Sequence, residues 1–106
     1  MVARGEVWLT KLDPTVGAEI QKTRPVVVVS PDDINRHLRL ATVAPLTSGS
    51  RLTRFRVATA FQGKDGLLLL DQLRSVDHAK FVRRLGTIDP QTLHHALAVL
   101  RDLFAE

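Results

Sequence analysis

Short apolar runs separated by polar turns occupy most of the chain. The first run alternates around Val7, Trp8, Leu9 and Leu12, which predicts a strand. Four consecutive valines at residues 26–29 are β-branched and too few for a helix, so they predict a strand buried on both faces. Comparable runs follow, the last of them short and basic. The predicted strands are residues 6–12, 26–29, 40–46, 55–60, 67–73 and 81–88.

The hydrophobic spacing changes after residue 88. Asp89 and Pro90 form an N-cap followed by proline at the first helical position. Apolar residues then recur at steps of three and four, which places them on one face of an amphipathic helix: Leu93, Ala96, Leu97, Leu100, Leu103 and Phe104. Near residue 31, Asp32 and Asp33 are expected to cap a short helical turn that ends at Arg36.

Together these elements predict a β-rich α+β fold, with five or six short strands curled into a small barrel or half-barrel that a C-terminal α-helix closes. A chain of 106 residues has room for one domain, residues 1–106. Several predicted strands lack a clean polar face, which favours a second subunit covering part of the outer surface. No apolar run approaches the roughly 18 residues of a membrane span, and no signal peptide is visible.

Charge is distributed unevenly along the chain. Residues 51–84 contain eight Lys/Arg and three Asp/Glu, a balance of +5, whereas residues 85–106 contain one and three. A local basic excess favours a polyanionic partner, although a solvated basic face is the alternative. The chain has no cysteine, which excludes disulfides, thiol nucleophiles and cysteine-based zinc sites and fits a cytoplasmic protein.

Familiar catalytic motifs are missing from the sequence. His94 and His95 are adjacent on the predicted helix, so their side chains diverge by about 100° and cannot share a metal ion. The sequence shows no Gly-rich phosphate loop and no nucleophile elbow. We therefore expect no metal and no cofactor. What remains is a set of polar residues at strand ends and in loops: Glu19, Arg24, Thr47, Ser48, Asp71, Gln72 and Arg74.

Asp71 has two interpretations. It follows four leucines directly, so its carboxylate should be partly buried, and an unpaired buried charge is costly. In the structural interpretation Asp71 pairs with an arginine or caps a turn to hold the barrel. In the functional interpretation Asp71 and Gln72 line a cleft and orient an arginine.

Three blocks of sequence resemble the MazF/PemK toxin family. The first is RGEVWLTKLDPTVGAEIQKTRPVVVVSP at residues 4–31, with a Gly-Glu-x-Trp strand, an Asp-Pro turn, a Gly-x-Glu loop and Arg-Pro before the valines. VAPLTSGS and LLLLDQLRSVD follow in the family's order, at residues 43–50 and 67–77. The resemblance implies a homodimeric SH3-like barrel of the PemK/CcdB type. It also implies an mRNA-cleaving toxin of a toxin–antitoxin pair.

The resemblance also implies roles for individual residues. Arg24 matches the arginine essential for cleavage, and Thr47 matches its usual catalytic partner. Glu19 matches a loop glutamate implicated in one branch of the family, and Asp71 matches a catalytic aspartate of another. That second branch also uses a histidine and an arginine where this chain has Ala18 and Leu69, so the Arg/Thr version fits better and the general base is left unidentified.

The expected chemistry is metal-independent cleavage of single-stranded RNA by attack of the 2′-hydroxyl, which leaves a 2′,3′-cyclic phosphate and a 5′-hydroxyl. Arg24 suits stabilisation of the phosphorane, and Glu19 is the loop carboxylate nominated as base. Splayed bases would be read in pockets and stacked on aromatic faces, with Phe55 as the candidate stacking residue or else a core residue. The predicted RNA-binding set is Ser48, Arg51, Arg54, Phe55, Gln72 and Arg74.

The rival hypothesis is a CcdB-like poison of a topoisomerase (gyrase), which shares the barrel but acts by protein–protein contact through an aromatic residue near the C-terminus. Phe104 is the available aromatic residue. The helical spacing predicts that its ring packs on the apolar face of the helix and is not free for such a contact. The Arg-Pro and Pro-x-Thr-Ser blocks favour the nuclease. For either toxin the expected partner is an antitoxin with a flexible acidic C-terminal segment, which would occupy the basic groove.

Overall fold

Seven antiparallel strands and two helices make up the fold of the computed structural model, which describes residues 1–12 and 23–106. The helices are α1 (Asp32–His37) and α2 (Pro90–Leu103). The strands are β1 (Glu6–Lys11), β2 (Thr23–Val28), β3 (Leu40–Thr47), β4 (Arg56–Phe61), β5 (Lys64–Leu69), β6 (Arg74–Asp77) and β7 (Phe81–Thr87). They are ordered β4-β5-β3-β2-β1-β7, and β6 pairs with the first half of β3.

The valine-rich strand is the centre of the sheet, as its composition predicts. Val26, Val27 and Val28 are fully buried and pair with Pro45, Ala44 and Val43 of β3. The two faces of the strand pack into different clusters. Val27 joins a cluster with Leu68, Leu70 and Ala96, whereas Val26 and Val28 pack with Val43 and Val76, and with Trp8 at the margin. Both faces of this strand are therefore covered within one chain.

The two ends of the sheet meet at the hairpin between β4 and β5. The side chain of Gln62 donates from Nε2 to the carbonyl oxygen of Leu85 in β7 at 2.9 Å. Gly86 leaves room for the Phe61 ring, since a Cβ at that position would lie 3.3 Å from it. These contacts fasten the hairpin tip to β7 and give the sheet its barrel shape, which agrees with the predicted fold class.

The predicted strand at residues 67–73 is wrong at its second half. β5 ends at Leu69, and Leu70–Gln72 form a 3₁₀ turn that leads into β6, a strand absent from the sequence prediction. Leu70 is still fully buried, and its N–H donates to the carbonyl oxygen of Phe55. Because the apolar run continues through the turn, hydrophobicity alone could not show where the strand ends.

The terminal helix forms as predicted at its start. The Asp89 carboxylate accepts hydrogen bonds from the N–H groups of Gln91 and Thr92, and Pro90 is the first helical residue. Ala96 is fully buried against the barrel core. The predicted packing of Phe104 is wrong, because the helix ends at Leu103 and the Phe104 side chain is 71% exposed.

The caps predicted for the short helix are also wrong. Pro31 is the N-cap of α1 and provides no side-chain hydrogen bond. Asp32 instead accepts from the N–H of Arg4, which holds the pKa of Asp32 below its ordinary value. Its carboxylate therefore ties the N-terminal segment to α1.

Candidate functional site

Arg24 and Thr47 lie at the same end of two neighbouring strands, β2 and β3. The β2–β3 register pairs Val26 with Pro45 and Val27 with Ala44, and Arg24 and Thr47 lie just beyond these pairs and line one cavity. On the far side of β3, Thr47 pairs with Leu67 of β5. Arg24 is exposed and Thr47 is half-buried. The two residues that the sequence singled out for cleavage are thus brought together by the sheet, although 23 positions separate them.

A cavity of about 700 Å³ opens beside this pair. Its size lies within the range typical of small-molecule sites. Arg24, Thr47 and Ser48 form one wall, and the β4–β5 hairpin forms another. Leu46, Phe61 and Leu85 give the cavity an apolar part. A cationic guanidinium therefore lies next to an apolar concavity, which suits a phosphate joined to an organic ring.

The hairpin tip is a tight two-residue turn. Gln62 and Gly63 both have positive φ, 52° and 77°, the conformation that such turns need to match the twist of the strands. Lys64 and Asp65 follow at the start of β5 and line the same cavity. The sequence predicted a turn here, but nothing in the sequence indicated that the turn would face Arg24.

A second cavity of about 570 Å³ adjoins the first, and they share Ser48, Asp65 and Gly66. Leu52 and Ala58 are among the residues on its far side. The two cavities therefore form a continuous groove. The groove extends from Arg24 and Thr47 to Ser50 and Leu52 in the loop between β3 and β4.

Asp71 differs from the sequence prediction in place and partner. It lies on the 3₁₀ turn, so its expected place within a strand is wrong, and its side chain is 35% exposed, which agrees with the expected partial burial. Both carboxylate oxygens accept from Arg56, at 3.1 and 3.2 Å. These hydrogen bonds hold the pKa of Asp71 below its ordinary value. An arginine beside this carboxylate is expected under both interpretations of Asp71.

The β3–β4 loop, residues 48–55, carries four of the predicted RNA-binding residues, and Ser48 is the first of them. Arg51 and Arg54 are exposed, and Phe55 is half-buried just before β4 begins. The guanidinium carbon of Arg54 lies 5.0 Å from the centre of the Phe55 ring, within the range of a cation–π contact. Phe55 is therefore already stacked on one face by an arginine of its own loop.

The remaining predicted residues lie in different surroundings. Gln72 is exposed on the 3₁₀ turn, and Arg74 begins β6, where it pairs with Val43. The described residues that line the two cavities include Ser48 but neither Gln72 nor Arg74. Glu19, with the rest of the loop predicted at residues 13–22, lies outside the described residues.

The described part of the chain has neither clustered metal ligands nor a membrane-spanning helix. Within residues 1–12 and 23–106 there is no group of three or more His, Asp or Glu side chains that could hold a metal ion. His94 and His95 are exposed on α2. In the same part of the chain, no helix is long and apolar enough to cross a membrane.

Sequence prediction missed Arg56 and the hairpin residues Lys64 and Asp65. Arg56 was one cation among eight in a basic segment, so its ion pair had no distinguishing signal in the sequence. Lys64 and Asp65 stand within an obvious turn motif, Gln-Gly-Lys-Asp-Gly. Their proximity to Arg24 depends on the closure of the barrel.

Fold and site together define a small antiparallel barrel with a cationic groove at the ends of its central strands. The PemK-like, MazF-like toxin family of type II toxin–antitoxin systems matches residues 3–104. The chain belongs to this family, which confirms the predicted family.

Curated relatives carry names that agree with this assignment. Endoribonuclease PemK of Escherichia coli is 43% identical over 96 residues, which cover 85% of this chain and 71% of that protein. Endoribonuclease toxin MazF of Escherichia coli strain K12 is 33% identical over 90 residues, covering 84% and 81%. The relatives are thus endoribonucleases by name, as predicted, and the CcdB-like alternative is not favoured.

Solved structures show the same fold. A MazE–MazF crystal structure from Deinococcus radiodurans superposes with a TM-score of 0.83 at 26% identity, covering 96% of this chain and 94% of that chain. A mycobacterial endoribonuclease in complex with its cognate antitoxin gives 0.80 at 22% identity, covering 96% and 93%. The likeness extends over nearly the whole chain and confirms the predicted fold class.

Proposed function

We propose that this protein is a sequence-selective endoribonuclease that cleaves single-stranded RNA, chiefly mRNA, and arrests growth as the toxin of a toxin–antitoxin pair. The observation that carries the proposal is the shared cavity of Arg24 and Thr47, in which a guanidinium faces an apolar concavity. Family membership supports the same function.

The proposed reaction is attack of the 2′-hydroxyl on the adjacent phosphorus, with departure of the 5′-oxygen. It needs a base, a group that stabilises charge on the phosphorane, and an acid. Arg24 is exposed at the cavity wall and suits the second role, because its planar donors match phosphate oxygens. Since a guanidinium supplies this positive charge, we propose that no metal is required. The products would be 2′,3′-cyclic phosphate and 5′-hydroxyl ends.

Thr47 and Glu19 complete the proposed catalytic set. The Thr47 hydroxyl accepts a weak hydrogen bond from the N–H of Gly49 at 3.5 Å, which leaves its own proton available for a phosphate oxygen. Glu19 is proposed as the base on the family resemblance. Asp71 was the other candidate carboxylate, and its bidentate contact with Arg56 favours a different role, developed below.

RNA would follow the groove formed by the two cavities. Ser48 lines both, and Arg51 and Arg54 extend the positive surface along the adjoining loop. The exposed part of Phe55 offers a surface for base stacking. Gln72 and Arg74 stay in the proposed RNA-binding set as more distant contacts. Duplex RNA should be a poor substrate, because its bases are not available to enter a cavity.

We further propose that the protein acts in the cytoplasm as a homodimer inhibited by an acidic antitoxin segment. Exposed apolar side chains at Ile34, Leu38 and Leu40 support a dimer contact, since such surface is commonly buried by a two-fold partner. Light scattering should give a mass near twice 11.8 kDa. An acidic peptide in the groove would compete with RNA, and its binding should weaken as salt rises.

The decisive experiment is RNA cleavage in excess EDTA with mapping of the product ends. Arg24→Ala should abolish cleavage, and Thr47→Ala should reduce it about 10²-fold or more, the scale of one lost preorganised donor. Arg36→Ala is the matched control, because Arg36 is an exposed arginine of α1 that contacts Asp33. A requirement for Mg²⁺, 5′-phosphate ends, or full activity of Arg24→Ala would contradict the proposal.

A further inference from the structure

Arg56 makes three hydrogen bonds that join two separate segments. Its Nε and Nη2 donate to the two carboxylate oxygens of Asp71, at 3.1 and 3.2 Å. Its Nη1 donates to the carbonyl oxygen of Arg51 at 3.1 Å. The Arg56 side chain is 16% exposed and thus largely covered. One guanidinium therefore links the 3₁₀ turn after β5 to the loop between β3 and β4.

A backbone hydrogen bond also connects the end of the β3–β4 loop to the 3₁₀ turn. The N–H of Leu70, which is fully buried, donates to the carbonyl oxygen of Phe55 at 3.2 Å. The 3₁₀ turn is itself held in place, because the side chain of Leu70 is buried in the barrel core. The loop is held to that turn twice, at its end through Phe55 and near its middle through Arg51.

The loop held in this way is the one that would meet RNA. It carries the exposed Arg51 and Arg54, and its Leu52 forms part of the second cavity. The positive charge of Arg56 is matched by Asp71, so Arg56 is poorly placed to bind a phosphate itself. Its geometry suits fixing a backbone.

We infer that Asp71 and Arg56 form a positioning pair that holds the β3–β4 loop in its RNA-binding shape. The inference rests on the proposed RNA substrate for its functional consequence. Asp71 orients the guanidinium, and the guanidinium fixes the backbone at Arg51. Both residues then contribute to binding of RNA along the groove rather than to bond cleavage at Arg24.

The arrangement requires an arginine, because three donors in a fixed planar fork point at two acceptor groups. A loop that adopts its binding shape only part of the time binds more weakly by that fraction. If the loop of a variant is in this shape for about a tenth to a third of the time, the dissociation constant for RNA rises about three- to tenfold.

Three variants test the pair: Arg56→Met, Asp71→Asn and the double variant. Binding is measured by fluorescence anisotropy with an oligonucleotide that carries 2′-deoxyribose at the cut site and so cannot react. Arg56→Met should raise the dissociation constant for RNA about three- to tenfold. The single-turnover rate of RNA cleavage, measured with all RNA bound, should stay within about twofold of the rate of the unmodified protein. The double variant should be no worse than Arg56→Met alone, because both changes remove one unit. Asp33→Asn, an exposed aspartate paired with Arg36, is the control.

Limited trypsin digestion tests the loop without RNA. Trypsin cleaves after Arg51 and Arg54, both exposed in the loop, and release of the loop should accelerate these cleavages in Arg56→Met and Asp71→Asn relative to Asp33→Asn. Unchanged digestion would overturn the inference. A loss of about 10²-fold in single-turnover cleavage by Asp71→Asn, with unchanged RNA binding, would also overturn it and make Asp71 catalytic. Absence of cleavage by the unmodified protein would instead contradict the proposed function, and the digestion result would still decide on the pair.

Discussion

The carboxylate of Glu6 joins the N-terminus, β1 and β7, and its replacement gives a stability prediction that can be worked from the structure. One oxygen accepts from the N–H of Ala3 at 2.8 Å and from the indole N–H of Trp8 at 3.0 Å. The other accepts from Nε of Arg84 at 2.8 Å. The Glu6 side chain is 16% exposed, so Glu6→Ala would leave partly covered donors without a partner.

The N–H groups of Ala3 and Trp8, which would lose their acceptor, account for most of the expected loss of stability in Glu6→Ala. Hydrogen bonds to a charged group contribute about 1.5–3 kcal/mol each, whereas the half-exposed Arg84 regains water and adds less than about 1 kcal/mol. Allowing for partial rehydration, Glu6→Ala should lower the free energy of unfolding by about 2–4 kcal/mol. Glu6→Gln keeps one acceptor oxygen and should cost about 1 kcal/mol. At about 0.22 kcal/mol/K for a chain of this length, the melting temperature falls by about 9–18 °C and about 4–5 °C respectively.

The effect of Glu6 should depend on pH in a defined direction. Burial raises the pKa of Glu6, but the hydrogen bonds from Trp8, Ala3 and Arg84 outweigh it and the pKa is lowered overall. A carboxyl group with a lowered pKa in the folded state stabilises the protein above its unfolded pKa and loses that contribution as the pH falls through the folded value. The difference between the unmodified protein and Glu6→Gln should therefore be full at pH 7 and shrink progressively below about pH 5.

Trp8 is the single tryptophan and the chain has no tyrosine, so its fluorescence reports on this network directly. Urea unfolding would be followed by Trp8 fluorescence and by far-UV circular dichroism at pH 7 and at lower pH. Glu106→Gln, an exposed change at the C-terminus, is the control. A cost for Glu6→Ala below about 0.5 kcal/mol, within the range of neutral surface changes, would refute the argument. So would a difference between Glu6→Gln and the unmodified protein that does not change with pH.

Three further changes test the packing, the terminal helix and the rival function. Leu68→Ala should lower the free energy of unfolding by about 2–5 kcal/mol in a urea titration, because Leu68 is fully buried in the barrel core; a cost under about 1 kcal/mol would contradict that packing. Asp89→Ala should cost about 1 kcal/mol in the same assay, since its carboxylate accepts from two N–H groups at the start of α2; an unchanged stability would mean that this cap does not matter. Phe104→Ser should change stability by less than about 0.5 kcal/mol and leave RNA cleavage and growth arrest intact, because the ring is 71% exposed. Loss of growth arrest with RNA cleavage retained would instead support the CcdB-like hypothesis.

The sequence by itself determined the class of fold and the family. Local patterns sufficed where a local cause decides the structure: the valines form a strand buried on both faces, and Asp89-Pro90 begins the terminal helix. The Gly-Glu-x-Trp motif was recognisable from residue types alone. Its cause is visible only in the structure, where Glu6 accepts the indole N–H of Trp8 two positions away on the same side of β1.

The tertiary structure alone decided how the site is assembled. Arg24 and Thr47 line one cavity because β2 and β3 are paired neighbours, and the β4–β5 hairpin lines the same cavity while Gln62 fastens it to β7. Asp71 was expected within a buried strand, yet a 3₁₀ turn directs it to Arg56. Hydrophobic periodicity predicts only which side chains are buried. Pairing between distant segments depends on strand register and turn geometry. For that reason the residues of the groove could be named in part from the sequence, but their partners could not.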